Sequence, residues 1–200
     1  MTQPGFTRSK KMNIINVGYD STNYYLLETK NGKLLVDSGF PGTLPKLSAE
    51  LTRKGSALSE IKYFLPTHYH PDHAGLAQEL KNQGIKLIVL EQQVSFIAPF
   101  SEFFKTKKYP YQEIKMTDNL ILKCEDSRKF LLDMGINGEI IHTPGHSDDS
   151  VSLILDEGFA FTGDLHPIFV LPEEDIISRQ SWDKIYQHKI TRIFPGHGGQ

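Results

Sequence analysis

The sequence predicts an α/β fold in which two mixed β-sheets, each flanked by helices, stack as a four-layer αββα sandwich. Three observations support this. The chain begins with strand-like segments, its middle part alternates strands with helices, and its last part returns to strands around a single terminal helix. The order of these segments also fits an α+β arrangement, so the sandwich is the more specific expectation.

The first half is predicted to open with an antiparallel meander. Segments 12–17, 23–28 and 33–37 are rich in β-branched and aromatic residues, and the turn signal Asn31-Gly32 separates the last two. A strand–helix rhythm follows, with a helix at 45–54, a strand at 61–65, a helix at 74–83 and a strand at 86–90. Gly55 and Gly84 are expected to end the two helices.

The second half contains both helical and strand patterns. Segment 92–105 has apolar residues at helical spacing but contains Pro99, which predicts one kinked helix or two short ones. The other predicted elements are a helix at 127–134, strands at 139–142, 151–155 and 159–162, an irregular insertion at 166–179, a helix at 182–187 and a strand at 192–194.

Composition limits the class of protein. A chain of 200 residues with 38% hydrophobic residues favours one folded domain, residues 1–200. Lys and Arg total 22 against 24 Asp and Glu, so we expect no nucleic-acid partner. The apolar runs are shorter than the roughly 18 residues of a membrane span, so we expect a soluble protein without a membrane partner. One cysteine, Cys124, and no apolar segment in 1–11 favour a cytoplasmic location.

The segment Thr67-His68-Tyr69-His70-Pro71-Asp72-His73 contains four residues of the types that bind metals. In an extended loop His68 and His70 point to the same side, and a turn at Pro71 brings Asp72 and His73 toward the same volume. A histidine-rich surface turn, or a helix cap made by Asp72, are the alternatives. The spacing favours a metal site.

Three further residues of the same types follow predicted strands. His146, Asp164 and His197 each come directly after a glycine, which lets the chain turn sharply at the end of a strand. Each residue alone is a weak signal, because turns are often rich in polar side chains. Together with the first motif they form a set of seven.

The pattern His-x-His-x-Asp-His at 68–73, followed in order by His146, Asp164 and His197, resembles the signature of the metallo-β-lactamase superfamily. The resemblance extends from Val36-Asp37-Ser38-Gly39 to His197. It implies the αββα sandwich and a two-metal centre between the sheets. It also implies these ligands: His68, His70 and His146 for the first metal, Asp72, His73 and His197 for the second, and Asp164 as the bridge.

Such a centre has a defined chemistry. Two cations about 3.5–4 Å apart share a water, lower its pKa toward neutrality and polarise the oxygen that gains charge during attack. The resemblance therefore implies catalytic roles for Asp72 and Asp164. A ligand set without thiolate suits two divalent ions, of which we expect Zn²⁺, although iron and manganese are acceptable. Asp37 is expected either to orient a ligand or to begin a turn.

The superfamily hydrolyses β-lactams, lactones, thioesters and phosphodiesters. This chain resembles its glyoxalase II-like or lactonase-like branch, which implies a dinuclear hydrolase of a small ester, thioester or lactone. A phosphodiesterase or ribonuclease is the main alternative, and the acidic balance of charges argues against it. A mononuclear iron dioxygenase is a further alternative that would leave Asp72, His73 and His197 without a role. We expect the partner to be a small-molecule substrate. The sequence leaves open whether the chain forms a homo-oligomer.

Some residues have open roles. His166 follows Asp164 by two positions, so it is expected on the rim of the site or as a proton donor. The aromatic segment from Phe96 to Tyr111 is expected to be a lid, a dimer contact or plain core. His142, His188 and Cys124 are expected to have structural roles.

Overall fold

The computed structural model describes residues 12–199, in which strands and helices alternate largely as the sequence predicts. The strands are Ile14–Asn16 (β1), Tyr25–Thr29 (β2), Gly32–Val36 (β3), Ile61–Leu65 (β4), Lys86–Leu90 (β5), Leu120–Leu122 (β6), Gly138–His142 (β7), Val151–Leu155 (β8), Phe159–Gly163 (β9) and Arg192–Pro195 (β10). The helices are Leu44–Arg53 (α1), Pro71–Ala74 (α2), Ala77–Asn82 (α3), Val94–Lys105 (α4), Cys124–Met134 (α5) and Ile176–Tyr186 (α6).

The described strands form two mixed sheets. The first has the order β1-β2-β3-β4-β5-β6, antiparallel from β1 to β3 and parallel from β3 to β6. The second has the order β10-β9-β8-β7, in which β10 and β9 are parallel and the other pairs antiparallel. Each sheet therefore contains parallel neighbours whose carboxyl ends lie at the same edge.

Three apolar clusters lie between the layers. The first joins the outer face of the six-stranded sheet to α1, α3 and α4. The second fills the space between the sheets, where Leu34 and Leu65 of one sheet join the same cluster as Leu153 and Phe161 of the other. The third joins the outer face of the four-stranded sheet to α6 through Trp182. This is the predicted αββα sandwich.

The burial of the strands follows from this layering. All five residues of β8 are buried, and the same holds for β9, because one face of each strand contacts the other sheet and the other face is covered by α6. A strand covered on both faces is apolar without alternation, which is the pattern of Val151–Leu155. The hairpin of β2 and β3 turns at Lys30-Asn31, next to the predicted Asn31-Gly32 signal.

Several predicted boundaries are wrong. The predicted helix at 74–83 is divided at Gly75-Leu76, where glycine lowers the helix propensity: Ala74 is the last residue of the short helix α2, and α3 occupies Ala77–Asn82. Strand β6 was not predicted, because three residues are too few for a periodicity; its pairing with β5 defines it. Segment 92–105, for which the sequence allowed one kinked helix or two short ones, contains the single helix α4, which continues through Pro99.

Two helices begin earlier than predicted. Helix α5 begins at Cys124, three positions before the predicted start at 127. Helix α6 begins at Ile176 because the side chain of Asp175 accepts a hydrogen bond from the Ser178 amide at 3.0 Å and caps it. The irregular insertion predicted at 166–179 therefore ends at Asp175, and it contains a 3₁₀ turn at Ile168–Val170.

The helices of the described part, 12–199, include none that is both long enough and apolar enough to cross a membrane.

We expect Trp182 to anchor α6 to the second sheet. The side chain is 2% exposed, and its Nε1 donates a hydrogen bond to the His166 carbonyl at 2.8 Å. Trp182→Ala should lower the free energy of unfolding by about 3–5 kcal/mol, because it removes a large buried ring and leaves a cavity. Urea denaturation measures this change.

The matched control is Ile177→Ala on the same helix, where the side chain is 55% exposed. This change should alter stability by no more than about 0.5 kcal/mol. Equal effects of the two substitutions would contradict the assignment of Trp182 as the anchor.

Candidate metal centre

The polar residues of the site follow the carboxyl ends of strands. In the first sheet Val36 pairs with Leu65, which places Asp37 beside the loop that begins after β4 and carries the first histidine motif. In the second sheet Pro195 pairs with Gly163, which places Asp164 beside the segment that carries His197. Parallel pairing thus brings residues that are distant in sequence to one edge of the sandwich.

The structure brings all seven predicted ligands together. One group consists of His68, His70 and His146, with a ligand atom of each within 4.8 Å of the others. The ring centroids of His68 and His70 are 4.5 Å apart, and those of His68 and His146 are 4.8 Å apart. Nε2 of His146 lies 3.0 Å from Nδ1 of His70. These three residues are the expected ligands of the first metal.

A second group consists of Asp72, His73 and His197. Oδ2 of Asp72 lies 3.2 Å from Nε2 of His197 and 3.7 Å from Nε2 of His73. Helix α2 begins with no side-chain cap, so the alternative in which Asp72 serves as a cap does not fit. These residues are the expected ligands of the second metal.

Asp164 lies between the two groups. Its Oδ1 is 3.1 Å from Nε2 of His73, and its Oδ2 is 3.3 Å from Nε2 of His197 and 3.7 Å from Nε2 of His146. The carboxylate thus faces both expected metal positions, as a bridging ligand must.

Three buried polar atoms at the centre make no hydrogen bond that meets geometric criteria: Nε2 of His68, and Nε2 of His73 and Oδ1 of Asp164, which lie 3.1 Å apart as an ion pair. A buried polar group without a partner costs free energy, so native structures rarely leave several together. Imidazole nitrogens and carboxylate oxygens that converge in this way suit divalent transition-metal ions, which bind such donors directly. The residues present therefore fit the metal ions that the sequence predicts.

Asp37 holds residues of the first histidine motif in position through its contacts with Thr67 and His73. It is buried, with a left-handed φ of 61°, and its Oδ1 accepts hydrogen bonds from the amide and hydroxyl of Thr67 at 2.6 and 3.0 Å. Its Oδ2 lies 3.0 Å from Nδ1 of His73. Asp37 thus holds the ring of His73 with Nε2 toward Asp164, which is the orienting role that the sequence left open.

Other supporting residues were not predicted. The hydroxyl of Thr22 donates to Oδ2 of Asp72 at 3.1 Å, the carbonyl of Ser21 lies 2.9 Å from Nδ1 of His197, and the hydroxyl of Thr67 lies 3.1 Å from Nδ1 of His68. Thr67 adjoins a motif histidine and could have been inferred. Ser21 and Thr22 are distant in sequence from every motif, so only the folded chain identifies them.

Two glycines are required by close contact. A Cβ at Gly196 would lie 2.4 Å from Oδ1 of Asp164, and a Cβ at Gly163 would lie 2.4 Å from Oγ1 of Thr67. Gly163 also has a φ of 52°, which L side chains rarely adopt. The glycines that precede Asp164 and His197 thus allow the two ligand loops to approach each other.

Burial and charge shift the pKa values at the centre in opposite directions. Burial lowers the pKa of His68 well below its ordinary value, and it also lowers that of His146. Burial alone would lower the pKa of His73, but the carboxylates of Asp37 and Asp164 outweigh it and raise this pKa to about 10. Burial alone would raise the pKa of Asp164, but the histidines facing it, His73 first, lower it.

Two cavities flank the centre. One, of about 660 Å³, lies on the side of His70 and His146 and is walled by aromatic residues of α4. The other, of about 420 Å³, lies on the side of Asp164 and His197. His166 is exposed on the rim of this second cavity, with its ring centroid 6.1 Å from that of His146.

The remaining open residues have local roles. Nε2 of His142 lies 2.7 Å from the Asp148 carbonyl, and Nδ1 of His188 lies 3.6 Å from Glu139. Cys124 is half-buried and accepts a hydrogen bond from Gln92.

The fold and the site together define a metal-binding protein of the αββα sandwich class. The chain belongs to the metallo-β-lactamase superfamily, whose family model matches residues 17–197.

The similar proteins agree with this class. A β-lactamase-like protein 2 homolog of Drosophila melanogaster is 31% identical over 186 residues, which cover 88% of this chain and 58% of the relative. A probable metallo-hydrolase of Methanocaldococcus jannaschii is 30% identical over 201 residues, which cover 90% of this chain and 89% of the relative. The crystal structure of a metallo-β-lactamase family protein from Thermus thermophilus has a TM-score of 0.69 at 21% identity, covering 94% of this chain and 73% of that one.

The chain spans a little over half the length of the Drosophila relative. Two further relatives have names that state a reaction: an atrochrysone carboxyl ACP thioesterase of Cryptosporiopsis, 30% identical over 88% of this chain and 49% of the relative, and an N-acyl homoserine lactonase of Bacillus thuringiensis, 28% identical over 66% of this chain and 57% of the relative.

We expect metal binding to release protons at pH 8. A pKa of about 10 keeps metal-free His73 protonated at this pH, so a cation that binds its Nε2 must displace that proton. Calorimetric titration with Zn²⁺ in buffers of different ionisation enthalpy should show at least one proton released per chain. Metal affinity should accordingly rise with pH.

The control is Asp37→Asn, which removes the carboxylate beside Nδ1 whose charge raises the pKa of His73, while keeping a side chain of similar shape. Proton release at pH 8 should fall in this variant. Equal release by the two proteins would show that the protons come from elsewhere.

Proposed function

We propose that the protein is a dinuclear metal-dependent hydrolase of a small ester, thioester or lactone. One observation carries this proposal: two groups of three ligand-type residues share one edge of the sandwich, with the carboxylate of Asp164 between them. A single metal would leave one of these groups without a role. The alternative of a mononuclear dioxygenase is therefore the less supported one.

In this proposal His68, His70 and His146 hold one ion, and Asp72, His73 and His197 hold the other, with Zn²⁺ as the expected metal. Bound there, the two ions would supply an acidified water and polarisation of the substrate carbonyl. Asp164 sets the distance between the two ligand groups, and Asp37 keeps Nε2 of His73 directed toward the centre. Thr22 fixes Asp72 by donating to its Oδ2.

The overall reaction is balanced by water alone. The oxygen of water forms a bond to the acyl carbon while the bond from that carbon to the leaving oxygen or sulfur breaks. The products are a carboxylic acid and an alcohol or thiol, which takes up one proton; a lactone gives both groups in one molecule. No side chain of the protein becomes acylated, which agrees with a centre composed of imidazoles and carboxylates.

The substrate class is supported by the cavities and by the relatives. Both cavities that flank the centre lack Lys and Arg among their lining residues in the described part of the chain, whereas a polyanionic strand needs cationic contacts. The names of two relatives refer to thioester and lactone cleavage. A phosphodiesterase or ribonuclease is the second candidate, since the superfamily includes such enzymes. We propose a small-molecule partner, no nucleic acid or membrane partner, and a cytoplasmic location.

We expect Asp164→Asn to reduce turnover by more than about 100-fold, because the amide lacks the charge needed to bridge two cations. Wild-type protein should contain close to two equivalents of metal after purification in Zn²⁺, and the variant fewer. The thermal midpoint of the metal-free variant should lie within a few degrees of the metal-free wild type. Near-normal turnover of the variant would contradict the bridging role.

We expect the enzyme to cleave acyl thioesters or lactones with a higher kcat/KM than bis(p-nitrophenyl) phosphate or RNA. Activity should disappear with a chelator and return with metal. A clear preference for the phosphodiester or RNA would overturn the proposed substrate class and favour the second candidate.

A further inference from the structure

Helix α4 has two apolar faces, which differ in how deeply their side chains are buried. Ile97, Phe100 and Phe104 are buried in the cluster beneath the helix. Phe96 and Phe103 lie seven positions apart, on an adjacent face of the helix together with Pro99. Phe96 is partly buried and packs against the same cluster, and Phe103 is 45% exposed, so this second face does not contribute a fully buried ring to the core.

Helix α4 forms one wall of the 660 Å³ cavity. Its second face contributes Phe96, Pro99 and Phe103 to this wall, and Phe100 of the core face also lines it. His70 and His146, two of the expected ligands of the first metal, line it at the inner end. An apolar wall therefore begins where the reacting carbonyl would lie.

The charged groups of this cavity are few. Apart from the two histidines, the charged side chains on its lining are those of Asp148 and Asp149. Oδ2 of Asp149 already accepts a hydrogen bond from the Tyr69 amide at 2.7 Å. The ammonium of Lys107 lies 5.2 Å from the Phe103 ring centroid, yet Lys107 does not line the cavity. An apolar part of a ligand would therefore contact apolar side chains in this cavity, whereas an anionic part would face two carboxylates.

We infer that this cavity, which we call the α4 cavity, binds the acyl chain of the substrate, and that Phe96 and Phe103 determine the preferred chain length. The inference rests on the proposed hydrolase function and adds the orientation of the substrate. The acyl chain extends from the centre along α4, and the leaving group lies toward the cavity on the other side, beside Asp164 and His197. The volume is within the range of small-molecule sites.

The test is a series of straight-chain acyl esters or thioesters with one constant leaving group, from acetyl to decanoyl. For the wild type, kcat/KM should rise about two- to fourfold per added methylene until the α4 cavity is filled, because each methylene leaves water for an apolar wall. Phe96→Ala and Phe103→Ala should lower kcat/KM for the acetyl substrate least, because its short acyl group makes the fewest contacts with this wall. The same variants should reduce kcat/KM for the octanoyl substrate by about tenfold or more.

The matched control is Phe169→Ala, since this phenylalanine is 85% exposed and does not line the α4 cavity. It should leave the dependence on chain length unchanged. If Phe169→Ala flattens that dependence and the two α4 variants do not, the acyl chain does not lie in the α4 cavity and the inference is wrong. An α4 variant that changes only the oligomeric state would show that the wall is a contact between copies of this chain.

A binding measurement separates this inference from the proposed function. Calorimetric titration of metal-loaded protein with acetate, butanoate, hexanoate and octanoate should give affinities that increase with length, and Phe103→Ala should remove the increase. Absence of hydrolysis throughout the ester series would contradict the proposed function. Hydrolysis at rates independent of length, or carboxylate affinities that Phe103→Ala leaves unchanged, would contradict the assignment of the α4 cavity.

Discussion

Three buried ligand atoms that make no hydrogen bond, Nε2 of His68, Nε2 of His73 and Oδ1 of Asp164, impose the constraint on which the rest of the site depends. Packing imidazoles and a carboxylate this closely removes their hydration, and the ion pair between His73 and Asp164 replaces it only in part. Bound cations satisfy all of these atoms at once. The arrangement that binds the cations is thus also one that suits catalysis. The fold must hold these ligand side chains rigidly in place before the cations bind.

That support comes from parallel strand pairs in two different sheets. The pairing of β3 with β4 places Asp37 below the histidine motif, and the pairing of β9 with β10 places Asp164 beside His197. The apolar cluster between the sheets fixes the two edges relative to each other. Because Asp37 contacts both Thr67 and His73, one buried carboxylate connects the end of one strand to two positions of the ligand loop.

The same layering determines where a substrate has room. Helix α4 packs on the first sheet with one face and borders the α4 cavity with the other. The spacing of apolar residues along the helix does not by itself distinguish these two surfaces. The aromatic segment that the sequence left as lid, contact or core is divided: Phe100 and Phe104 are buried in the core, while Phe103 and Tyr109 are largely exposed.

Local sequence determined most elements and all seven candidate ligands, because periodicity, glycine stops and the spacing of histidines and aspartates are properties of neighbouring residues. It did not determine β6 or the division of 74–83 into two helices, since three-residue strands and helix breaks depend on pairing and packing. The grouping of ligands followed from a family resemblance, and only the folded chain brings the groups within ligand distance. The contacts of Ser21, Thr22 and Asp37 with the ligands likewise arise only in the tertiary structure, because sheet pairing joins segments that the sequence keeps far apart.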